Sequence, residues 1–575
     1  MSMSNEDLVG VTATLPNVDA DRDSTASSSV SENGKAAEYA PTAADLENQD
    51  QNDDDDDASE RAERTLSRIL TNADSVERDV AKMAAEDVPI PPMGADKPYP
   101  PSLPDSKLYT VAYDGPKDPI FPHNWPFMKK LTQCFIIGVD TFTIAFGSAI
   151  FSSAVPYVSA QYHVAEVVST LSITLYVLGF ASGPIIWAPL SELYGRRPVL
   201  VISSIGFTLF QFAVATAKDL QTILICRFFG GFIGAAPLAV VPAAFADMFG
   251  NETRGTAIVC FSMAIFVGPM MAPILGGFIA KSYLGWRWTE YITGIMGAAA
   301  CVFIILFQTE THHPIILVEK AREIRRRTGN WGIHAPHDEF QLSVKEIAEK
   351  NLTRPLKLLF TEPIIFMITL YNSFIYGIIY LFLSAYPLIF QGGYRMVAGV
   401  AELPYLGLIL GTNFGGLYCI YCERFYVRKM KENNNKIIPE ARLPPMIVGS
   451  FFFPVGIFWL CWSGNYPESV HWMVPTASGL VTGFGLITIF IPSLNYIIDS
   501  YLIFAASAMA GNTFMRSGFG AVFPLFASFM FKNMHTNWAG TLIGCFSVAL
   551  IPVPLLFYKY GKSIRQKSKY AFDLS

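Results

Sequence analysis

Between about residues 131 and 558 the chain repeats one pattern: an apolar run long enough to cross a bilayer, then a polar connection. About 20 helical residues at 1.5 Å rise cross a hydrocarbon core of roughly 30 Å. Runs near 131–155, 167–190, 198–217, 221–246, 256–281 and 289–309 meet that length. A polar stretch, 310–357, interrupts them, and further runs follow near 362–391, 398–422, 445–464, 470–498, 502–530 and 537–558. The pattern predicts an all-α integral membrane protein with twelve transmembrane helices, six on each side of a hydrophilic loop. That layout belongs to transporters assembled from two related halves.

Charge supports the membrane class and orients it. Only 16% of the 575 residues are charged, against about 25% in soluble domains. The net charge of −6 conceals an acidic N-terminal part, with Asp53 to Asp57 in a row, and basic loops further on. Residues 1–115 bury too little apolar surface to offset ordering entropy, and read as a disordered acidic tail. Within it, 61–71 suits a short amphipathic helix and 98–104 an extended segment. The expected organisation continues with the first six helices in 116–309, a central loop at 310–357, the second six in 358–558 and a basic tail at 559–575. Lysines and arginines crowd the central loop (Arg325, Arg326, Arg327), the loop after the eighth run (Arg428, Lys429, Lys431) and the C-terminal tail. The positive-inside bias then puts both termini in the cytoplasm. No signal peptide opens the chain, and the sequons at Asn251 and Asn351 fall on the cytoplasmic side, where neither is glycosylated.

Several chemistries are absent. Gly561-Lys562-Ser563 lacks the upstream glycine of a phosphate-binding loop, so active transport has to draw on an ion gradient. The pair Cys419 and Cys422 has neither a second pair nor a nearby His, which argues against a metal site. No catalytic residues, cofactor or nucleic-acid partner is expected, and no nucleophile–base pair marks an enzyme.

Short motifs go further. The second and third runs are joined by Ala188-Pro189-Leu190-Ser191-Glu192-Leu193-Tyr194-Gly195-Arg196-Arg197, an acid and paired arginines about a tight turn. The fourth run carries Arg227 deep among apolar residues, where a cation is costly and needs a partner. The fifth contains Gly268, Pro269, Pro273, Gly276 and Gly277, which permit close contact and bending. The first has a lone acid, Asp140. Together these resemble the signature motifs A, B and C of the major facilitator superfamily, in its fungal twelve-span drug:proton antiporter family, with Ala188 and Ala272 where glycine is usual. The segment Asp114–Pro126 resembles the fungal branch of that family, and Pro98–Pro104, Glu310–Pro314, Asn330–His334 and Asn512–Ser517 are similar to the yeast polyamine exporters.

The resemblance implies the major facilitator fold, two six-helix bundles rocking about a central cavity, and export of polyamines (spermidine, spermine) and diverse drugs in exchange for protons. Asp140 and Arg227 are the proton-coupling candidates, since proton and substrate can compete for a carboxylate inside a helix bundle. Glu192, Gly195, Arg196 and Arg197 are the gating candidates, and Gly268, Pro269, Pro273, Gly276 and Gly277 form the antiporter motif. Candidate contacts for a cationic or amphipathic substrate are Asp140, Tyr371, Tyr376, Tyr380, Asn512, Phe514 and Phe519. Arg516 is placed deep in a run with no partner assigned. The family expectation is a monomer in the plasma membrane, with the vacuolar membrane as the alternative. Alternative functions are export of azole-type drugs or weak acids without polyamines, or a non-transporting sensor on the same fold.

Overall fold

A computed structural model of the chain describes residues 106–115, 117–339, 353–433, 436–501, 504–568 and 570. The segments expected at 61–71 and 98–104 and the sequon at Asn351 lie outside these residues.

The described residues form long helices in succession. Span 1 is Phe127–Ser153, span 2 Glu166–Tyr194, span 3 Arg196–Thr216, span 4 Leu220–Met248, span 5 Thr253–Lys281 and span 6 Arg287–Phe307. The second series is span 7 (Pro363–Gly393), span 8 (Tyr405–Glu432), span 9 (Pro444–Gly464) and span 10 (Met473–Ser500). A last apolar helical stretch, Ser507–Gln566, runs for 60 residues, about three times what a bilayer needs. His535 breaks it with φ 58° and ψ 160°, so the stretch crosses twice, as spans 11 and 12. The expected fold of twelve spans is therefore present.

Two expected boundaries move. Span 8 was placed near 398–422 by hydropathy, yet its helix starts at Tyr405 and continues to Glu432 through the charged run. Tyr426 and Met430 are buried on one face of that extension, while Arg428 pairs with Glu432 one turn on. Such a helix is amphipathic rather than apolar, so hydropathy ends it too early. Span 12 likewise continues past 558 to Gln566, with Arg565 pairing to Glu440 at 2.7 Å.

Glycines set the closest crossings. A Cβ on Gly231 of span 4 would lie 2.1 Å from the Tyr176 carbonyl oxygen of span 2, and one on Gly411 of span 8 would lie 2.2 Å from that of Leu480 in span 10. Small residues let helices that cannot rely on hydrophobic exclusion pack backbone to backbone. The two halves meet mainly through span 2 against span 11 and span 5 against span 8. Thr174 of span 2 donates to the Ala521 carbonyl of span 11 at 2.8 Å.

Spans 1, 3, 5, 7, 9 and 11 begin at one end of the bundle, here termed the basic face. A small cap lies there. Val111, Val318, Ala321 and Ala335 form a satellite apolar cluster that joins the segment before span 1 to the central-loop helix His313–Thr328. Phe121 stacks on His313 at 4.6 Å, and Lys320 reaches Asp114 at 3.2 Å.

Candidate functional site

The basic face carries the first charge cluster. Gly195 turns the chain between spans 2 and 3 at φ +97°, and a Cβ there would fall 2.5 Å from Glu310 Oε2, so both conformation and space require glycine. Glu310, just beyond span 6, accepts the backbone N–H groups of Arg196 at 2.9 Å and Arg197 at 3.0 Å. The Arg196 guanidinium reaches Asp247 of span 4 at 3.2 Å and Ser191 at 2.7 Å. The Arg197 side chain donates to the Ile305 carbonyl at 2.9 Å. Glu192 is exposed, and Asp247 and Glu310 are carboxylates that bond Arg196 at the turn. The second half repeats the device: Arg442, just before span 9, bonds Glu423 of span 8 and Asp499 of span 10, the latter at 2.9 Å, over the Tyr426 ring. In the sequence Arg442 is one more charge of the basic loop after the eighth run.

Deeper in the first half, Arg227 is fully sealed. It donates to the carbonyls of Gly147 at 2.9 Å and of Ser148 and Ser172 at 3.4 Å. Its carboxylate partner is Glu290 of span 6, at 3.3 Å, and the Tyr176 ring lies 4.3 Å away. Glu290 is also fully sealed, and its second oxygen has no partner. Glu290 sits in the first turn of span 6, and that turn is packed inside the bundle.

Asp140 does not join Arg227. Its Oδ1 accepts from Ser204 of span 3 at 2.9 Å and its Oδ2 has no partner. Gly147, the Arg227 contact on span 1, lies two helical turns further along. Asp140 therefore bonds to span 3, about 10 Å along span 1 from the Arg227 contact.

The antiporter motif forms a seam. On span 5, a Cβ at Gly268 would lie 3.0 Å from the Phe146 backbone nitrogen, and one at Gly276 2.8 Å from Ser153 Oγ, both on span 1. Pro269 and Pro273 interrupt the helix ladder there, and the Pro273 carbonyl accepts from Ser153 at 3.2 Å. Gly277 faces the other half: a Cβ would lie 2.8 Å from Glu402 Oε2 in the connection between spans 7 and 8.

Span 7 brings the aromatic candidates together at the junction of the halves. Tyr376 and Tyr380 share a hydroxyl contact at 3.3 Å, and Tyr380 reaches Ser148 of span 1 at 2.9 Å. Phe266 of span 5 packs on Tyr376 and on Phe490 of span 10. Tyr371 is fully buried with its hydroxyl unpartnered. Asn512 donates to Thr369 at 3.2 Å, and its Oδ1 is unpartnered. Phe519 stacks on Phe523, whose ring meets Gly377. Phe514 differs. It is 45% exposed and falls on one helical stripe with the exposed Val522, Phe526 and Phe529, the outer face of span 11 that lipid would cover. Its inclusion among substrate contacts is corrected accordingly: aromatic count gave no helical phase.

The architecture can be compared with known proteins. Residues 139–524 match the family model of the Major Facilitator Superfamily. The chain is 56% identical to multidrug transporter TPO1_2 of Candida glabrata over 89% of this chain and 88% of that protein. It is also 56% identical to the major facilitator superfamily multidrug transporter FLU1 of Candida albicans, over 89% of this chain and 83% of that protein. Among solved structures, the xylose transporter XylE from E. coli superposes with a TM-score of 0.51 at 18% identity, covering 75% of this chain and 97% of that one. Twelve spans in two halves and these matches make the chain a multi-pass membrane transporter of the major facilitator superfamily, not an enzyme.

Proposed function

We propose that this transporter exports polyamines and structurally diverse drugs from the cytoplasm across the plasma membrane by alternating access, in exchange for protons, with both termini cytoplasmic. The observation that carries the reading is the sealed acid set of the first half. Asp140 and Glu290 each lack a partner on one carboxylate oxygen, and Arg227 ties Glu290 to span 1 backbone that lines the junction with span 7. A proton arriving on Glu290 weakens its hold on Arg227, and the Gly147 and Ser148 carbonyls then compete for that guanidinium. Span 1 carries the signal directly to Tyr380 through Ser148. Asp140 acts one level away, by fixing span 1 to span 3 when charged and releasing it when neutral. The names of the relatives, two multidrug transporters, favour drug export in particular.

The latches give the moving parts two stable arrangements. Arg196 with Asp247 and Arg442 with Asp499 hold the basic ends of each half, and such partly buried, bonded pairs break as units. The motif seam lets span 5 shift on span 1 within the first half, and its Gly277 end meets the second half at Glu402.

The test is uptake of labelled spermidine into proteoliposomes with and without an acid-inside gradient. Gradient-driven flux, lost in Asp140→Asn or Glu290→Gln, is expected. Flux that ignores the gradient removes proton exchange. Absence of spermidine flux in vesicles that still move a fluorescent drug removes the polyamine assignment and leaves drug export.

A further inference from the structure

Arg516 occupies the interior face of span 11, at the level where the halves meet. Its guanidinium lies 4.8 Å from the Tyr376 ring and 5.1 Å from the Phe490 ring. Its Nε is sealed and unpartnered. Among the described residues it makes no hydrogen bond or ion pair, whereas Arg227 has three carbonyls and a carboxylate. Yet the side chain as a whole keeps some accessible surface. The outer face of the same helix, marked by Phe514 and Val522, is turned away from it. A cation at this depth without a countercharge is costly and marks a functional position. Asn372 adds a second buried donor: its Nδ2 is unpartnered, one turn along span 7 from Tyr376, while its Oδ1 accepts from Ser493 at 2.8 Å.

We propose that Arg516 anchors the anionic end of a ligand, a single carboxylate on an aromatic or otherwise apolar body. The planar guanidinium matches a carboxylate through paired N–H donors. Phe266, Phe490 and Tyr376 pack on one another around it and offer an apolar wall for the rest of the molecule. Those walls cannot solvate a second charge, which disfavours phosphates and dicarboxylates. The carboxylate completes the Arg516 shell in one conformational state and leaves it when the halves part. This acid-binding subsite is independent of the polyamine reading: spermidine bears no anion and has no use for Arg516.

The measurement is binding to the full-length protein in lipid nanodiscs, using 2-naphthoate and its neutral isostere 2-naphthamide. A charge-assisted pair at a partly desolvated site predicts that naphthoate binds roughly 10- to 100-fold tighter than the amide. Arg516→Gln should abolish that margin with naphthamide affinity unchanged, and Arg516→Lys should retain part of it. Equal affinity for both ligands in the wild type overturns the proposal, and so does a margin that survives in a folded R516Q. Should R516Q fail to fold, the wild-type pair and R516K decide alone. Spermidine flux, present or absent, bears only on the separate polyamine reading.

Discussion

Removing one member of the Arg227–Glu290 pair should cost far more than removing both. The two side chains are fully sealed and 3.3 Å apart. At that separation, with an effective dielectric of about 20, opposite charges attract by about 5 kcal/mol. That attraction offsets the desolvation of both ions. The partners are not equivalent. Arg227 keeps three backbone carbonyls and the Tyr176 ring if Glu290 is lost. Among the described residues Glu290 keeps nothing, since its one hydrogen bond there comes from Arg227 and its Oε2 has no partner. Glu290→Leu should therefore destabilise by about 3 kcal/mol and Arg227→Leu by about 4 kcal/mol, within the range for broken buried pairs. The double variant places apolar side chains where two ions stood and should cost about 2 kcal/mol. The assay is a double-mutant cycle on unfolding by sodium dodecyl sulfate in mixed micelles, followed by tryptophan fluorescence. A coupling energy near the Coulomb figure is expected. Costs that add within about 0.5 kcal/mol would show that the pair does not interact, and the proton-linked role built on it would fall.

Three further outcomes follow from the same geometry. Gly231→Ala drives a Cβ to within 2.1 Å of the Tyr176 carbonyl and should destabilise by about 1–3 kcal/mol. Gly138→Ala meets nothing within 4 Å and should be neutral, so equal melting shifts for the two would refute the tight crossing of spans 2 and 4. Glu310→Gln leaves one acceptor oxygen where the carboxylate serves the N–H groups of Arg196, Arg197, Thr311 and His312; a loss of about 1.5–3 kcal/mol is expected, read as a lowered melting temperature, and an unchanged one would sink the latch. Asp118, outside the spans, is held below the ordinary carboxylate range by the N–H groups of Asp114 and Ile120. Its stabilisation of the segment before span 1 is thus present above the unfolded carboxylate value and lost as pH falls through the lower folded one. The hydrogen-exchange protection factors of 114–125 should fall on acidification in the wild type, and Asp118→Asn should show the low protection at every pH.

The spans were legible because hydrophobicity and length act locally, residue by residue, and the bilayer dictates both. Where local hydropathy and tertiary contact disagree, contact wins. Span 8 runs on through its basic residues because Tyr426 and Met430 find a packed face, and a 60-residue stretch is broken only by the backbone of His535. The site residues divide in the same way. Gly195, Arg196 and Arg227 were legible because glycine at a turn and a cation in an apolar run each imply a need that the structure must meet. What meets the need was not legible. Asp247, Glu310 and Glu290 come from other helices, at separations of 51, 114 and 63 residues from the arginines they serve, and nothing local distinguishes them from any acid near a helix end. The same limit applies to Phe514, an aromatic that is 45% exposed, because the rotation of a helix about its axis is set by its neighbours. Arg516 shows the converse. Its sequence position implies a buried charge, and among the described residues the fold supplies it with aromatic rings but no carboxylate. A need that neither sequence nor fold satisfies points outside the protein, to a ligand that brings the missing charge with it.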